Sequence, residues 1–172
     1  MPSGERLIDP IEAAVANWLA MGWEDSAGGM AFVTSVTRAQ QILETSIDRT
    51  LRPFGLTFTR FELLRLLAFT RRGTLPMGVA GQRLQVHPAS VTNAVDRLER
   101  AGLVARHRSD VDGRMVIVGI TNDGRELVER ATVELNNLFA RIPVDSNDMA
   151  QVVDALRVFR GAHDGTGTEV CR

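Results

Sequence analysis

Behind Asp9-Pro10, an N-cap followed by a proline in the first turn, Ile11, Ala14, Val15, Trp18 and Leu19 recur at helical spacing and predict a short amphipathic helix to about Trp23. Asp25 to Gly29 reads as a break. Phe32, Val36, Leu43, Ile47 and Leu51 then form a longer stripe that stops before Pro53 and Gly55, a second helix of about 20 residues. The run "GLTFTRFELLRLLAF" restarts the period with Phe61, Leu64 and Leu67 inside, Thr57 or Thr59 as cap, Thr59 and Glu62 at capping-box spacing, and Arg71-Arg72-Gly73 as the stop.

The next stretch changes character twice. A short helix carrying Ala80 and Leu84 leads through Gln85, Val86 and His87 to Pro88, which opens a helix whose Val91, Val95 and Leu98 face inward until Gly102 ends it. Two short helices joined by a tight turn make a helix-turn-helix, and Gly81 is expected where the pair approaches too closely for a side chain. From Leu103 to Arg108 and from Met115 to Thr121 the period falls to two around a turn at Ser109 to Gly113, a hairpin of two strands placed as a wing. Helical spacing returns at Asn122 through Leu127, Ala131, Leu135 and Leu138, pauses at Pro143, and resumes after Asp145 through Met149, Val152, Val153, Leu156 and Phe159. The fold class expected is mainly α with a small β-hairpin wing, and the end from His163 has little to bury.

Composition narrows the function. At 172 residues and 44% hydrophobic the chain suits one ordinary core, and no run of 18 apolar residues marks a membrane span. Glu5, Asp9 and Glu12 interrupt the first stretch in a way unlike a signal peptide, so a soluble, cytoplasmic protein without membrane association is expected. The single cysteine, Cys171, allows no internal disulfide, and His87, His107 and His163 fall in three different elements, so no metal and no cofactor are expected. No Gly-rich phosphate loop, nucleophile elbow or paired catalytic carboxylates stand out, which gives an enzyme no foothold.

Net charge is −1, but residues 57 to 121 hold ten arginines against five acidic residues, a local +5 that leaves −6 for the rest. A basic segment between acidic flanks offers one anion-facing surface; ordinary solvated helix faces are the plainer alternative. With Val91, Val95 and Leu98 inward, Ser90, Thr92, Asn93 and Arg97 lie on the outer face of the second helix of the pair, where short polar side chains and the positive dipole suit phosphates and base edges in a major groove. Arg114 sits two residues after Asp112, whose carboxylate can aim it into a narrow minor groove; the plainer alternative is a surface pair worth at most about 1 kcal/mol. Arg106 and Arg108 on the first wing strand are candidates for phosphate contacts.

The run from "GLT" at 55 to 57 through "VDRLERAGLVARHRSDVDGRMVIVGIT" to Asp123-Gly124 resembles the MarR (multiple antibiotic resistance regulator) family of transcription factors. The "LERAGLV" helix end, the Asp112-x-Arg114 wing and the strand closing on Ile120-Thr121 coincide, with Gln85 standing where the turn often has glycine. The resemblance implies that the wing arginine enters the minor groove, that the second helix of the pair reads the major groove of double-stranded DNA, and that terminal helices intertwine into a homodimer. It implies in turn a regulator, with repression as the expected mode, and a small phenolic or other aromatic effector between lobe and dimer helices. Trp18, Trp23, Phe32, Phe54, Phe58 and Phe61 are candidates to line that pocket, ordinary core being the other reading of the same residues.

A dimer is also expected on physical grounds. Phe32, Val36, Leu43, Leu135, Leu138, Val152, Leu156 and Phe159 present more apolar surface than one small winged lobe covers. Two reading helices one DNA turn apart, about 34 Å, call for a pseudo-palindromic operator. The organisation expected is an N-terminal extension with a short helix at 1–28, a dimerisation helix at 29–56, the winged helix-turn-helix lobe at 57–121, dimerisation helices at 122–162 and a flexible tail at 163–172. A winged dimer that binds another protein instead of DNA remains the rival reading, because fold does not fix function.

Overall fold

In the computed structural model, residues 8–109 and 114–164 are described. The elements run α1 (Pro10–Ala20), α2 (Glu24–Leu51), a single 3-10 turn (Arg52–Phe54), α3 (Phe58–Ala68), β1 (Thr74–Pro76), α4 (Met77–Leu84), α5 (Pro88–Arg100), β2 (Val104–Arg108), β3 (Val116–Ile120), α6 (Asn122–Phe139) and α7 (Ser146–Asp164). Residues up to Leu138 form one compact unit, and those from Phe139 a second. Asp112 and Cys171 lie outside the described residues, as do the rest of the wing tip at 110–113 and the end at 165–172.

Asp9 caps α1 as expected, its Oδ1 accepting from the Ile11 amide at 2.7 Å. The expected break at Asp25 to Gly29 is absent. α2 begins at Glu24 and passes through Gly28 and Gly29 for 28 residues. Two glycines cost about 1 kcal/mol each relative to alanine, yet Glu24 and Asp25 in the first turn favour the helix dipole and a long helix follows to carry them. α1 packs back on α2, with Ala27 buried and Trp18 meeting Trp23 edge-on at 5.4 Å between ring centroids.

The Thr59–Glu62 capping box does not form. Thr57 is the N-cap residue of α3, no side chain caps that turn, and Thr57 Oγ1 instead accepts from Arg60 Nε at 3.1 Å. The core of the first unit is Leu63, Leu64 and Leu67 of α3, Ala80 of α4, Val91, Val95 and Leu98 of α5, Val118 of β3, and Val128, Ala131 and Leu135 of α6. Leu135 is thus fully buried within its own chain and Leu138 is half-buried against the same core, not held out for a partner as the sequence pattern suggested. The reason is that the apolar stripe of α6 is spent on the lobe: Arg65 of α3 donates to Glu129 Oε1 at 2.8 Å and Thr132 Oγ1 at 3.2 Å, fixing α6 beside α3.

The sheet has three strands, in the order β1-β3-β2, all antiparallel, rather than the two expected. Leu75 pairs with Val118, and Arg106 pairs with Val118 from the other side. β1 escaped the sequence pattern because three residues ending in proline show no alternation. At the sheet's exit Thr121 Oγ1 donates to the Gly102 carbonyl at 2.8 Å and accepts from the Gly124 amide at 3.1 Å. Here a Cβ on Gly124 would meet the Leu103 carbonyl oxygen at 2.1 Å, so only glycine fits. Gly81 is different: a Cβ there would lie 3.5 Å from Val91 Cγ2, ordinary contact, and the close approach expected of it is not needed.

Candidate nucleic-acid interface

α4 ends on Gln85 at φ 52 and ψ 38, a left-handed residue where glycine would be unstrained. That conformation turns the chain sharply into α5. His87 is the N-cap of α5, its Nδ1 accepting from the Ala89 amide at 3.2 Å, and Pro88 fills the first helical position. From there the apolar stripe Val91, Ala94, Val95 and Leu98 is buried, and the helix can only present its other side to solvent. Ser90, Thr92, Asn93 and Arg97 are all exposed on that side. Thr92 Oγ1 donates back to the Pro88 carbonyl at 3.1 Å, so its hydroxyl proton is engaged within the helix.

The four arginine and aspartate positions assigned to the wing separate in the structure. Arg108 is exposed at the end of β2, opposite Val116, and Arg114 is exposed just before β3. Asp112, expected to aim Arg114, is outside the described residues. Arg106 is placed otherwise than a free phosphate contact. Its guanidinium donates to Asp96 Oδ1 at 2.5 Å, to Glu99 Oε2 at 2.8 Å and to the Thr92 carbonyl at 3.4 Å, while its amide donates to Glu99 Oε1 at 3.0 Å. All three accepting residues belong to α5. Arg106 therefore ties the wing strand β2 to α5, and its charge is already matched by two carboxylates. The pattern that foretells this is Asp96 and Glu99 three apart on one helix face, next to the strand that follows.

A cleft of about 390 Å³ opens between the first turn of α3 and the outer face of α5, lined by Thr57, Thr59, Arg60, Ser90, Asn93, Ala94 and Arg97. Sequence reasoning placed Ser90, Asn93 and Arg97 at this surface and missed Thr57, Thr59 and Arg60. Behind α3, Arg65 lies over the Phe69 ring at 4.5 Å as well as bonding Glu129 and Thr132. Its hydrogen bond holds the Glu129 carboxyl below the ordinary carboxylate value. Burial pushes the Glu62 carboxyl of the same helix upward.

The aromatic residues assigned to an effector pocket divide into groups. Phe61 is buried in the lobe core, stacked on Phe58 at 6.4 Å, and Phe54 and Phe58 pack half-buried against that core. Trp18 and Trp23 pair at the α1–α2 elbow, and Phe32 of α2 is exposed. Among the described residues no group of His, Cys, Asp and Glu could hold a metal ion, and no helix is long and apolar enough to cross a membrane.

A helix pair with its second helix turned outward, followed by a hairpin tied to that helix, defines a winged helix-turn-helix protein. The MarR family model matches residues 54–115. Sco5413 of Streptomyces coelicolor, a MarR family transcriptional regulator of known structure, is 44% identical and superposes with a TM-score of 0.72 over 82% of this chain and 99% of its own. The HTH-type transcriptional repressor Rv2887 of Mycobacterium tuberculosis is 30% identical over 61% of this chain and 74% of its own length. The HTH-type transcriptional regulator YhbI of Bacillus subtilis is 32% identical over 51% of this chain and only 56% of its own length. The chain belongs to the MarR family: it is a DNA-binding transcriptional regulator and not an enzyme.

Proposed function

We propose that two copies of this chain bind a pseudo-palindromic operator, each laying α5 in a major groove through Ser90, Thr92, Asn93 and Arg97 and sending Arg114 into the adjoining minor groove. The observation that carries this reading is the division of α5, whose buried Val91, Val95 and Leu98 leave Ser90, Thr92, Asn93 and Arg97 exposed. Asn93 can pair with adenine in the major groove, at about 1–3 kcal/mol of discrimination for a good pair. Arg108 and Arg114, exposed on the wing, supply positive charge beside that face.

The dimer reading is supported by apolar residues left open. Val33, Ile42 and Leu43 on α2 are exposed, and in the second unit so are Val152, Val153 and Val158 on α7, which buries none of its residues among those described. A second copy would cover such surfaces. Repression is the mode favoured by likeness to Rv2887, named a repressor. A small aromatic or phenolic effector that weakens operator binding completes the reading, with Trp18, Trp23 and Phe32 nearer the surface than Phe61 and so the better candidates to meet it. The organisation that goes with it keeps 57–121 as the DNA-binding lobe and gives dimerisation to α2 and the helices after Asn122.

The test is fluorescence anisotropy on the DNA upstream of the chain's own gene, against a scrambled duplex, at two salt concentrations. Specific, salt-sensitive binding that Asn93→Ala blunts on the operator alone, and that Arg114→Ala loses without melting the protein, is the expected result. Equal weak binding to both duplexes would sink the operator reading.

A further inference from the structure

The cleft between α3 and α5 has a composition that the reading helix alone does not explain. Its cations come from two helices, Arg60 from the first turn of α3 and Arg97 from α5, and its other polar donors include the hydroxyls of Thr57, Thr59 and Ser90. No carboxylate lines it. Among the described residues neither Arg60 nor Arg97 forms an ion pair, in contrast to Arg106 a few residues away, which is matched twice. Two unmatched guanidinium groups facing one cleft repel each other, and an anion between them removes that cost.

The local geometry favours the same ligand. No side chain caps the first turn of α3, because the Thr57 hydroxyl oxygen accepts from Arg60 Nε at 3.1 Å instead of from a backbone amide. That bond orients the Arg60 guanidinium, and the uncapped amides with the positive end of the helix dipole add to the attraction for negative charge. At about 390 Å³ the cleft has room for a phosphate with several waters, each of roughly 30 Å³. Ser90 and Asn93 on its α5 wall place it beside the surface assigned to base edges.

We propose that this cleft seats a backbone phosphate of the bound duplex, clamped between Arg60 and Arg97, with Thr57, Thr59 and Ser90 as hydroxyl donors. The proposal rests on the DNA reading above and adds α3 to the contact surface. The clamp fixes the depth and register of α5 in the groove without reading sequence, whereas Asn93 on its rim is free to read a base. Arg60 is then a positioning residue whose loss is felt equally on every duplex.

The experiment compares the wild type, Arg60→Gln and Arg60→Lys on the upstream duplex and on a scrambled one across a salt series, with circular dichroism confirming that each variant is folded. Arg60→Gln is expected to weaken binding to both duplexes by the same factor, roughly tenfold, and to flatten the slope of log affinity against log salt by about 0.9 for each cleft engaged. Arg60→Lys keeps the charge and should restore the slope. Unchanged affinity and slope in a folded Arg60→Gln, with the wild type binding normally, overturns the cleft and leaves the DNA reading standing; a loss confined to the upstream duplex overturns it in favour of base recognition. A wild type that binds neither duplex overturns the DNA reading, and the cleft with it.

Discussion

α5 and α7 are both amphipathic helices of this chain, and they end up in opposite conditions. α5 buries Val91, Val95 and Leu98 within its own unit, so its outward face is fixed before any DNA arrives. α7, in the second unit, leaves Val152, Val153 and Val158 exposed and buries nothing among its described residues. The difference teaches where each helix draws its stability. α5 is stabilised by its own chain and should hold its shape at any dilution, whereas in the dimer proposed above α7 draws on a second copy.

The sharpest way to break that comparison is to empty the lobe core. Leu98→Ala should cost about 2–5 kcal/mol and lower the melting temperature by a similar amount at every protein concentration. A destabilisation that vanished at high concentration would mean that the lobe, too, depends on a partner. Gly124→Ala comes next, at about 1–3 kcal/mol, because its methyl group collides with the Leu103 carbonyl and the sheet exit must shift; urea unfolding would measure it. On the other side of the comparison, in the dimer proposed above Val153→Glu should raise the dimer dissociation constant roughly tenfold or more while the lobe core of the full chain stays folded, which sedimentation equilibrium and circular dichroism would separate.

The smallest effect concerns acid. Asp145 caps α7, its Oδ1 accepting from the amides of Asn147 and Asp148 at 2.9 and 3.0 Å, and those bonds hold its carboxyl below the ordinary value of 3.8. A folded-state value below the unfolded one means that the cap stabilises above the unfolded value and is lost as pH falls through the depressed one. Far-ultraviolet dichroism should therefore show a small loss of helix on acidification below about pH 4 that Asp145→Ala already shows at neutral pH. An identical acid profile for the two proteins would remove Asp145 from the account.

Much of this division was legible in the pattern of residues. Val91, Val95 and Leu98 at helical spacing behind His87-Pro88 define both faces of α5, and the change to a period of two after Gly102 marks the wing. Local rules failed where a distant partner or a longer element decided the outcome. Gly28-Gly29 reads as a break in any short window, but the helix is decided over its whole length from Glu24. Leu135 looks like surface for a partner until α3 is seen against α6. Arg106 looks like a phosphate contact until Asp96 and Glu99 are seen beside it. Thr57 reads only as a helix cap and Arg60 carries no motif at all, and their relation to Arg97 exists only once α3 and α5 are packed.

The tie through Arg106 has a consequence for timing. One guanidinium joins β2 to α5 by bonds to Asp96, Glu99 and the Thr92 carbonyl, so the first wing strand and α5 are coupled by side-chain bonds as well as by the chain between them. In the operator complex proposed above, elements coupled in this way would leave their two grooves together. Departure of a lobe from the duplex is then one concerted event rather than a peeling, and the lifetime of the complex is governed by the full set of contacts acting together. Loosening that joint would shorten the lifetime long before it abolished recognition.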